Sequence, residues 1–485
     1  MPLNPKLKIT AASAAALLAG LLAGCGTVGP DYRIPAGAAV NRPAASARLL
    51  GAAEAPFAAS PLPSDWWRLY RDPTLDRLVK RALAANTDLR VAAANLARVR
   101  ALQQEVEVAA GPAVGFNAAP AYGRGSAAAK GLGEPLTAGF SHDAGVNVAY
   151  QVDLFGKIAR AVEAAGADTQ AAQAGYDVAR VTVVADTARA YVDACAAARQ
   201  MTVAQQSVDL QAKFVELTGQ RVRGGRGTAL DTSRARGQLE QLRSAIPTLR
   251  AQQRGAQFRL AALTGEVPAA LSELSTQVAQ CKVAPRLTSL IPVGDGAALL
   301  RRRPDIRQAE RALASASARI GVAVAELYPS ISLGLSAGST GTLAQFGASN
   351  AMRWSLGPLI SWSLPSTGSA HSRIAQAEAG SALALAHFDG AVLTALRDVE
   401  TALTVYAREL DRHAALTAAR EQDALASNQA RTLFRAGRTD FLTTLDADRT
   451  LATAEASLAQ SEAQLSTDQV NLFLALGGGW EQPGK

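Results

Sequence analysis

Two stretches of this chain contain almost nothing that would break a helix. From Lys157 to Arg223 and from Ser369 to Ala436 there is no proline, and the glycines are isolated. At 1.5 Å per residue each stretch is roughly 100 Å long as a helix. Helices of that length do not fold back into a globule; they form a rod or a wall. Composition agrees with this. Of 485 residues, 48% are apolar but only 5% aromatic, and alanine supplies much of the apolar share. Such a chain suits close helix packing better than a thick core. The net charge of +8 comes mostly from arginines scattered through the whole chain. No basic block with interleaved aromatics is present, which argues against nucleic acid as a partner.

The chain matches itself at an offset of about 210 to 217 residues. Asn86-Thr87-Asp88-Leu89-Arg90 aligns with Arg303-Pro304-Asp305-Ile306-Arg307, and each opens a helix. Gly111-Pro112-Ala113-Val114-Gly115-Phe116 aligns with Tyr328-Pro329-Ser330-Ile331-Ser332-Leu333, where proline ends that helix. Gly225-Arg226-Gly227-Thr228-Ala229-Leu230 aligns with Gly437-Arg438-Thr439-Asp440-Phe441-Leu442. The expected order is a first repeat over 65–270, a connector over 271–302 and a second repeat over 303–476, followed by a tail over 477–485. The first repeat holds a hairpin near 112–155, a long helix over 157–223 and a shorter one over 228–262. The second holds a helix over 304–327, a hairpin near 329–364, a long helix over 369–436 and a shorter one over 440–476. Two short helices stacked end to end reach roughly 90 Å, nearly the length of the long one, so each repeat reads as one long helix beside a coaxial pair.

Between the helices lie segments with a two-residue period. In 143–155 the apolar set is Val146, Val148, Tyr150, Val152 and Leu154; in 112–122 it is Val114, Phe116, Ala118 and Tyr122. The second half offers Ile331, Leu333, Leu335 and Ala337, then Trp354, Leu356, Ile360, Trp362 and Leu364. The alternate positions are small and polar. Strands of about ten residues with one apolar and one wet face have the length and pattern of tilted strands crossing a bilayer. Tyr122, Tyr150, Phe155, Tyr328, Trp354 and Trp362 are placed as an interfacial aromatic girdle. Four strands cannot close a barrel, and open edges in lipid leave backbone groups unsatisfied, so several copies must share one barrel.

The N-terminus is an export signal over 1–24, with Lys6 and Lys8 ahead of an apolar run. It ends in Leu22-Ala23-Gly24-Cys25, which resembles the lipobox of bacterial lipoproteins, with Cys25 as the lipidated residue. Gly26 follows, not the Asp that retains many lipoproteins at the inner membrane. Residues 25–64 read as an extended Pro/Ala/Gly-rich tether running over the body's surface. No uninterrupted apolar run of about 18 residues follows the signal, so no transmembrane helix is expected. Cys195 and Cys281 are read as small buried residues, neither a disulfide framework nor a metal site.

With these features assembled, the chain resembles the outer-membrane efflux protein (TolC-like) family, in particular its NodT-type lipoprotein branch. The carriers are the Cys25 lipobox, Asp65-Trp66-Trp67, Tyr150-Gln151-Val152-Asp153-Leu154-Phe155-Gly156-Lys157, Arg302 to Glu310, and Arg435-Ala436-Gly437 with Leu445-Asp446-Ala447. The resemblance implies a homotrimer with a 12-stranded β-barrel, four strands per chain, above a long α-helical barrel. It implies the exit duct of a tripartite pump with a periplasmic adaptor (membrane fusion) protein and an inner-membrane transporter of the resistance-nodulation-division type. Alternatives within transport are a duct for type I protein secretion or heavy-metal efflux; a purely structural periplasm-spanning lipoprotein is the rival outside it.

The resemblance also points to the helix tips. Gly225 and Leu230, with Gly437 and Leu442, are expected to contact the adaptor: the glycines for a left-handed turn, the leucines as apolar knobs. Asp446 and Asp448 are expected at the periplasmic gate as carboxylate rings favouring cations, with Arg449 or Arg435 clamping them to a neighbouring chain. A plainer reading is capping chemistry, since Asp231 follows Thr228, and Asp446 follows Thr443, at the box spacing. Arg301 to Arg303 precede Pro304 and Asp305, a simple helix start. His142, His371, His387 and His413 have no metal-like spacing. No nucleophile–base set or phosphate loop is present, so neither an enzyme nor a cofactor, beyond the lipid on Cys25, is expected.

Overall fold

The structure is a computed structural model. It describes residues 26–53, 56–60, 62–128, 131, 133–135, 137–269, 276, 278, 281, 283–287, 289–362 and 367–478. Cys25 and Leu364 lie outside them. The helices are α1 (Pro73–Ala85), α2 (Thr87–Ala109), α3 (Lys157–Arg223), α4 (Ala229–Leu263), α5 (Gly296–Arg302), α6 (Pro304–Ala325), α7 (Thr367–Arg435) and α8 (Phe441–Ala475). The strands are β1 (Phe57–Ala58), β2 (Ala113–Ala118), β3 (Ala121–Gly123), β4 (Gly139–Val152), β5 (Ile291–Pro292), β6 (Ser330–Thr342) and β7 (Met352–Ser361). By contacts the chain forms two units. One comprises Met1–Pro35, Leu96–Ala171 and Ala309–His387, the other Ala36–Asn95, Ala172–Gln308 and Phe388–Lys485. This division runs across the expected repeats, since each unit takes a share of both.

Local chemistry sets the helix ends. The Asp153 carboxylate accepts from the amides of Ile158 (3.0 Å) and Ala159 (2.7 Å), fixing the start of α3 just after Gly156. Asp72 caps α1 and receives the Tyr191 hydroxyl at 2.8 Å. The short helices abut through matching junctions in the second unit. Asn86 caps α2 and donates to the Leu263 carbonyl ending α4 (3.3 Å). Arg303, just before α6, donates to the Ala475 carbonyl ending α8 (2.8 Å) while holding Asp305. Pro247 sits inside α4, where a sequence rule would place a break.

The core of the second unit gathers Trp66, Trp67, Leu75, Val79, Val192, Leu403, Leu472 and Phe473. Trp66 stacks on Phe473 with centroids 4.7 Å apart. The segment over 26–53 is irregular, with 3-10 turns at Ala39–Asn41, Pro43–Ala45 and Gly51–Ala53, and is firmly docked. In the first unit Val28 donates to the Phe155 carbonyl, Asp31 pairs with Arg160 at 2.7 Å, and Tyr32 donates to Glu310 at 2.7 Å. In the second, Asp389 takes the Ala39 amide and Glu400 takes those of Leu50 and Gly51.

One expectation is corrected. Cys195 and Cys281 form a disulfide, with Cα atoms 5.0 Å apart across 86 residues of chain, because the connector folds back onto α3. By length and composition alone, Gly368–Arg435 in α7 is apolar enough to cross a membrane, which does not by itself make it a span. The reason is its dense Ala, Leu and Val content, although Glu378, His387 and Asp389 interrupt the run.

Candidate functional site

Strands pair in the order β2-β4-β6-β7, all antiparallel, with β3 extending the β2 side of β4. Five strand segments thus fill four positions, the break falling at Ala119-Pro120 between β2 and β3. Register places Val148 opposite Leu335 and Leu335 opposite Leu356, so these share a face with Val114, Phe116, Val146, Tyr150, Leu333, Trp354 and Ile360. The opposite face carries Gly115, Asn147, Ser336 and Ser355 in one row, and Asn117, Gly145, Gly338 and Arg353 in the next. Arg353 holds Asp143 at 2.6 Å and donates to Thr340, while Ser336 and Ser355 share a hydrogen bond at 2.8 Å. The apolar face is uncovered: Trp354 is 78% exposed and Phe116 75%. Both sheet edges, β2 and β7, pair with nothing in this chain among the described residues.

Aromatics mark both ends of the strands. Phe155 stacks on Tyr328 (4.5 Å) beside the helices, where Trp362 donates to the Leu327 carbonyl at 3.2 Å. At the far end Tyr122 packs on Phe140 (4.9 Å), and Phe346 meets His142 edge-on. The 14 residues of β4 extend roughly 45 Å. A tilt of about 40° reduces that to roughly 35 Å, the height of an apolar band plus its girdles.

The two helix-pair tips are near copies in backbone. Gly225 and Gly437 both adopt φ +71°. Arg226 donates to Arg221, and Arg438 to Leu433, each at 2.8 Å, closing a glycine C-cap. Leu230 and Leu442 point outward, 55% and 53% exposed. Beneath them Phe214, Phe434 and Phe441 cluster, with Arg221 over the Phe434 ring at 4.1 Å.

The model of the outer membrane efflux protein family matches residues 78–266 and 297–478. The chain belongs to that family. Relatives agree along almost its full length. The toluene efflux pump outer membrane protein TtgC of Pseudomonas putida is 30% identical over 97% of this chain and 96% of its own. Nodulation protein T of Rhizobium leguminosarum bv. viciae is 28% identical over 97% and 94%. The solved structure of the outer-membrane channel OprN superposes with a TM-score of 0.87 at 36% identity, covering 94% of this chain and all of that one. As a member of the outer membrane efflux family, the protein is a channel of the outer membrane with a mainly helical body and a β-barrel part.

Within this efflux-protein framework the expected residues fall as follows. Tyr122, Tyr150, Phe155, Tyr328, Trp354 and Trp362 all lie on the sheet or at its ends; Phe140 and Phe346 complete the aromatic ends. Asp446 is exposed and paired with Arg449 three residues on, at 3.0 Å. Arg435 is exposed at the end of α7. Asp448 is buried within its own helix pair, accepting from Ser427 (2.7 Å) and Arg431 (2.8 Å). Within this chain its ion-pair partner is Arg431. The capping box at Thr228 and Asp231 is formed, but α8 is capped by Asp440, which accepts from Thr443. Those hydrogen bonds hold the Asp440 carboxyl below the usual range. Asp446 is thus not a cap. Arg431 carried a usable signal, sitting where a helix pair closing at Gly437 brings it opposite Asp448.

Proposed function

We propose that three copies of this chain, each contributing two structural repeats, close a 12-stranded barrel and form the exit duct of a tripartite efflux pump. The single observation that carries this is the sheet: one face apolar and exposed, one face small and polar, both edges open. A second copy supplies a partner for each edge, and lipid covers the apolar face. Four strands per chain would make 12 in a trimer, wide enough for a water-filled lumen. Lipid on Cys25 would hold the duct in the outer membrane. No resident cofactor is part of this reading.

The tips are the proposed meeting point with a periplasmic adaptor, through Gly225, Leu230, Gly437 and Leu442, and the inner-membrane partner is a resistance-nodulation-division transporter. Small toxic compounds, of the kind named for the toluene pump relative, are the proposed cargo. At the tips, Asp446 with Arg449 forms the proposed gate ring, while Asp448 and Arg431 brace the helix pair behind it.

Planar-bilayer recording of the detergent-purified, crosslinked protein tests the reading. The expected result is a discrete cation-favouring conductance from a trimeric species, with cation preference lowered in Asp446→Ala. A monomer that conducts nothing overturns the duct; unchanged selectivity in the variant overturns the gate alone.

A further inference from the structure

The disulfide has a marked asymmetry that bears on how it forms. Cys195, on α3, is wholly enclosed in the core of the second unit. Cys281, on the connector, is only half-buried and lines an open cavity of about 900 Å³. Arg71, Arg199 and Arg286 line the same cavity, with Asp72 and Glu462. Arg199 pairs with Glu462, and Asp72, hydrogen-bonded by Tyr191, keeps its charge, so three arginines against two carboxylates leave one net positive charge in the lining. The cationic surplus favours the thiolate of a reduced Cys281.

The connector is otherwise held by short-range pieces. Gln469 grips the amide and carbonyl of Leu287 at 3.0 Å each, and Ile291 and Pro292 pair with Phe57 and Ala58. Val278, Ile291 and Val293 insert into the core. Cys195 reaches Cys281 only when these pieces are seated.

We propose that Cys281 is the entry sulfur for an external disulfide oxidant of the thiol-exchange class, and that the bridge locks the docked connector onto α3. The Cys281 thiolate attacks the oxidant's disulfide, forming a mixed disulfide and releasing one oxidant thiolate. Cys195, giving up its proton, then attacks the Cys281 sulfur, closing the bridge and releasing the second oxidant thiolate. Two protein thiols are oxidised, the oxidant disulfide is reduced to a dithiol, and the released protons are taken up by it or by solvent.

The inference rests on export of the chain but not on its forming a duct. Purified full-length protein, reduced and then challenged with an aromatic disulfide probe, tests it. Cys195→Ser should take one probe equivalent at Cys281 while folded; Cys281→Ser should react at least about tenfold more slowly until denatured. In the unreduced chain carrying Cys25→Ser, which leaves only the two bridge cysteines, a maleimide gel shift should show no free thiol, and two after reduction. Trypsin should cut at Arg286 about tenfold faster in the doubly substituted chain than in the wild type, as it does where a segment opens more readily. Equal labelling of the two single variants, free thiols in the mature protein, or unchanged cleavage at Arg286 each overturns the proposal. Loss of conductance with the bridge intact would count against the duct instead.

Discussion

Trp354 on the sheet lies almost wholly in the open, whereas Trp66 in the helical core is fully enclosed against Phe473, Trp67 and Tyr70. Both are large apolar side chains, in a chain with few of them. In the helical unit such residues bury one another, and the single chain is its own solvent shield. On the sheet they line one face in strict alternation, and nothing in this chain among the described residues covers them. One region therefore encloses its large aromatics within the single chain; the other, in the proposed assembly, has lipid on its face and neighbours at its edges.

The largest test of that contrast is Trp66→Ala, which removes a stacked, enclosed indole and should cost about 3–5 kcal/mol of stability. Thermal unfolding in detergent would show it; a loss under about 1 kcal/mol would mean that the core does not hold itself together. Next, Leu335→Arg at mid-sheet should cost about 2–4 kcal/mol of membrane insertion, read as loss of the heat-modifiable band. Ser336→Arg, one residue along on the other face, should insert normally and lower conductance. If both variants behave alike, the two faces do not see different solvents.

A smaller effect separates the tips. Thr228→Ala deletes one arm of the capping box and should cost about 1 kcal/mol, detectable by hydrogen exchange in the first turn of α4 with α8 unaffected. The finest distinction concerns a polar intruder in the helical core. Asp468 is buried with one carboxylate oxygen unpartnered, and burial pushes its pKa up, with Glu409 adding to the effect. A carboxyl whose folded pKa exceeds its unfolded value weakens the fold as pH rises through that window. Asp468→Asn should therefore stabilise the protein by about 1 kcal/mol at neutral pH. The gain should vanish as acid protonates the wild-type carboxyl. A variant less stable at every pH would point to a needed charge.

The long helices were legible because neither stretch contains a proline and alanine favours helix throughout. The sheet faces were legible because a period of two leaves no choice of side. Elsewhere the determinants lie far apart in sequence. The Cys195–Cys281 pair needs the connector to return to α3. The ordered course of residues 26–53 is set by Arg160, Glu310, Asp389 and Glu400 on distant helices, so a segment without periodicity still has one conformation. Pro247 survives within α4 against local preference. Asp448 was readable as a charge near a tip, but its burial follows from how α7 and α8 pack.

The polar face of the sheet lies close to its own main chain. It is furnished mainly with glycine, alanine, serine and asparagine, with the Arg353–Asp143 pair as its charged feature, and at Gly338 a Cβ would lie 2.5 Å from the Ala144 carbonyl oxygen. In the proposed duct, a wall lined this way takes much of its calibre from main chain. Such a bore sorts traffic poorly by shape, so discrimination among passengers must happen before they arrive.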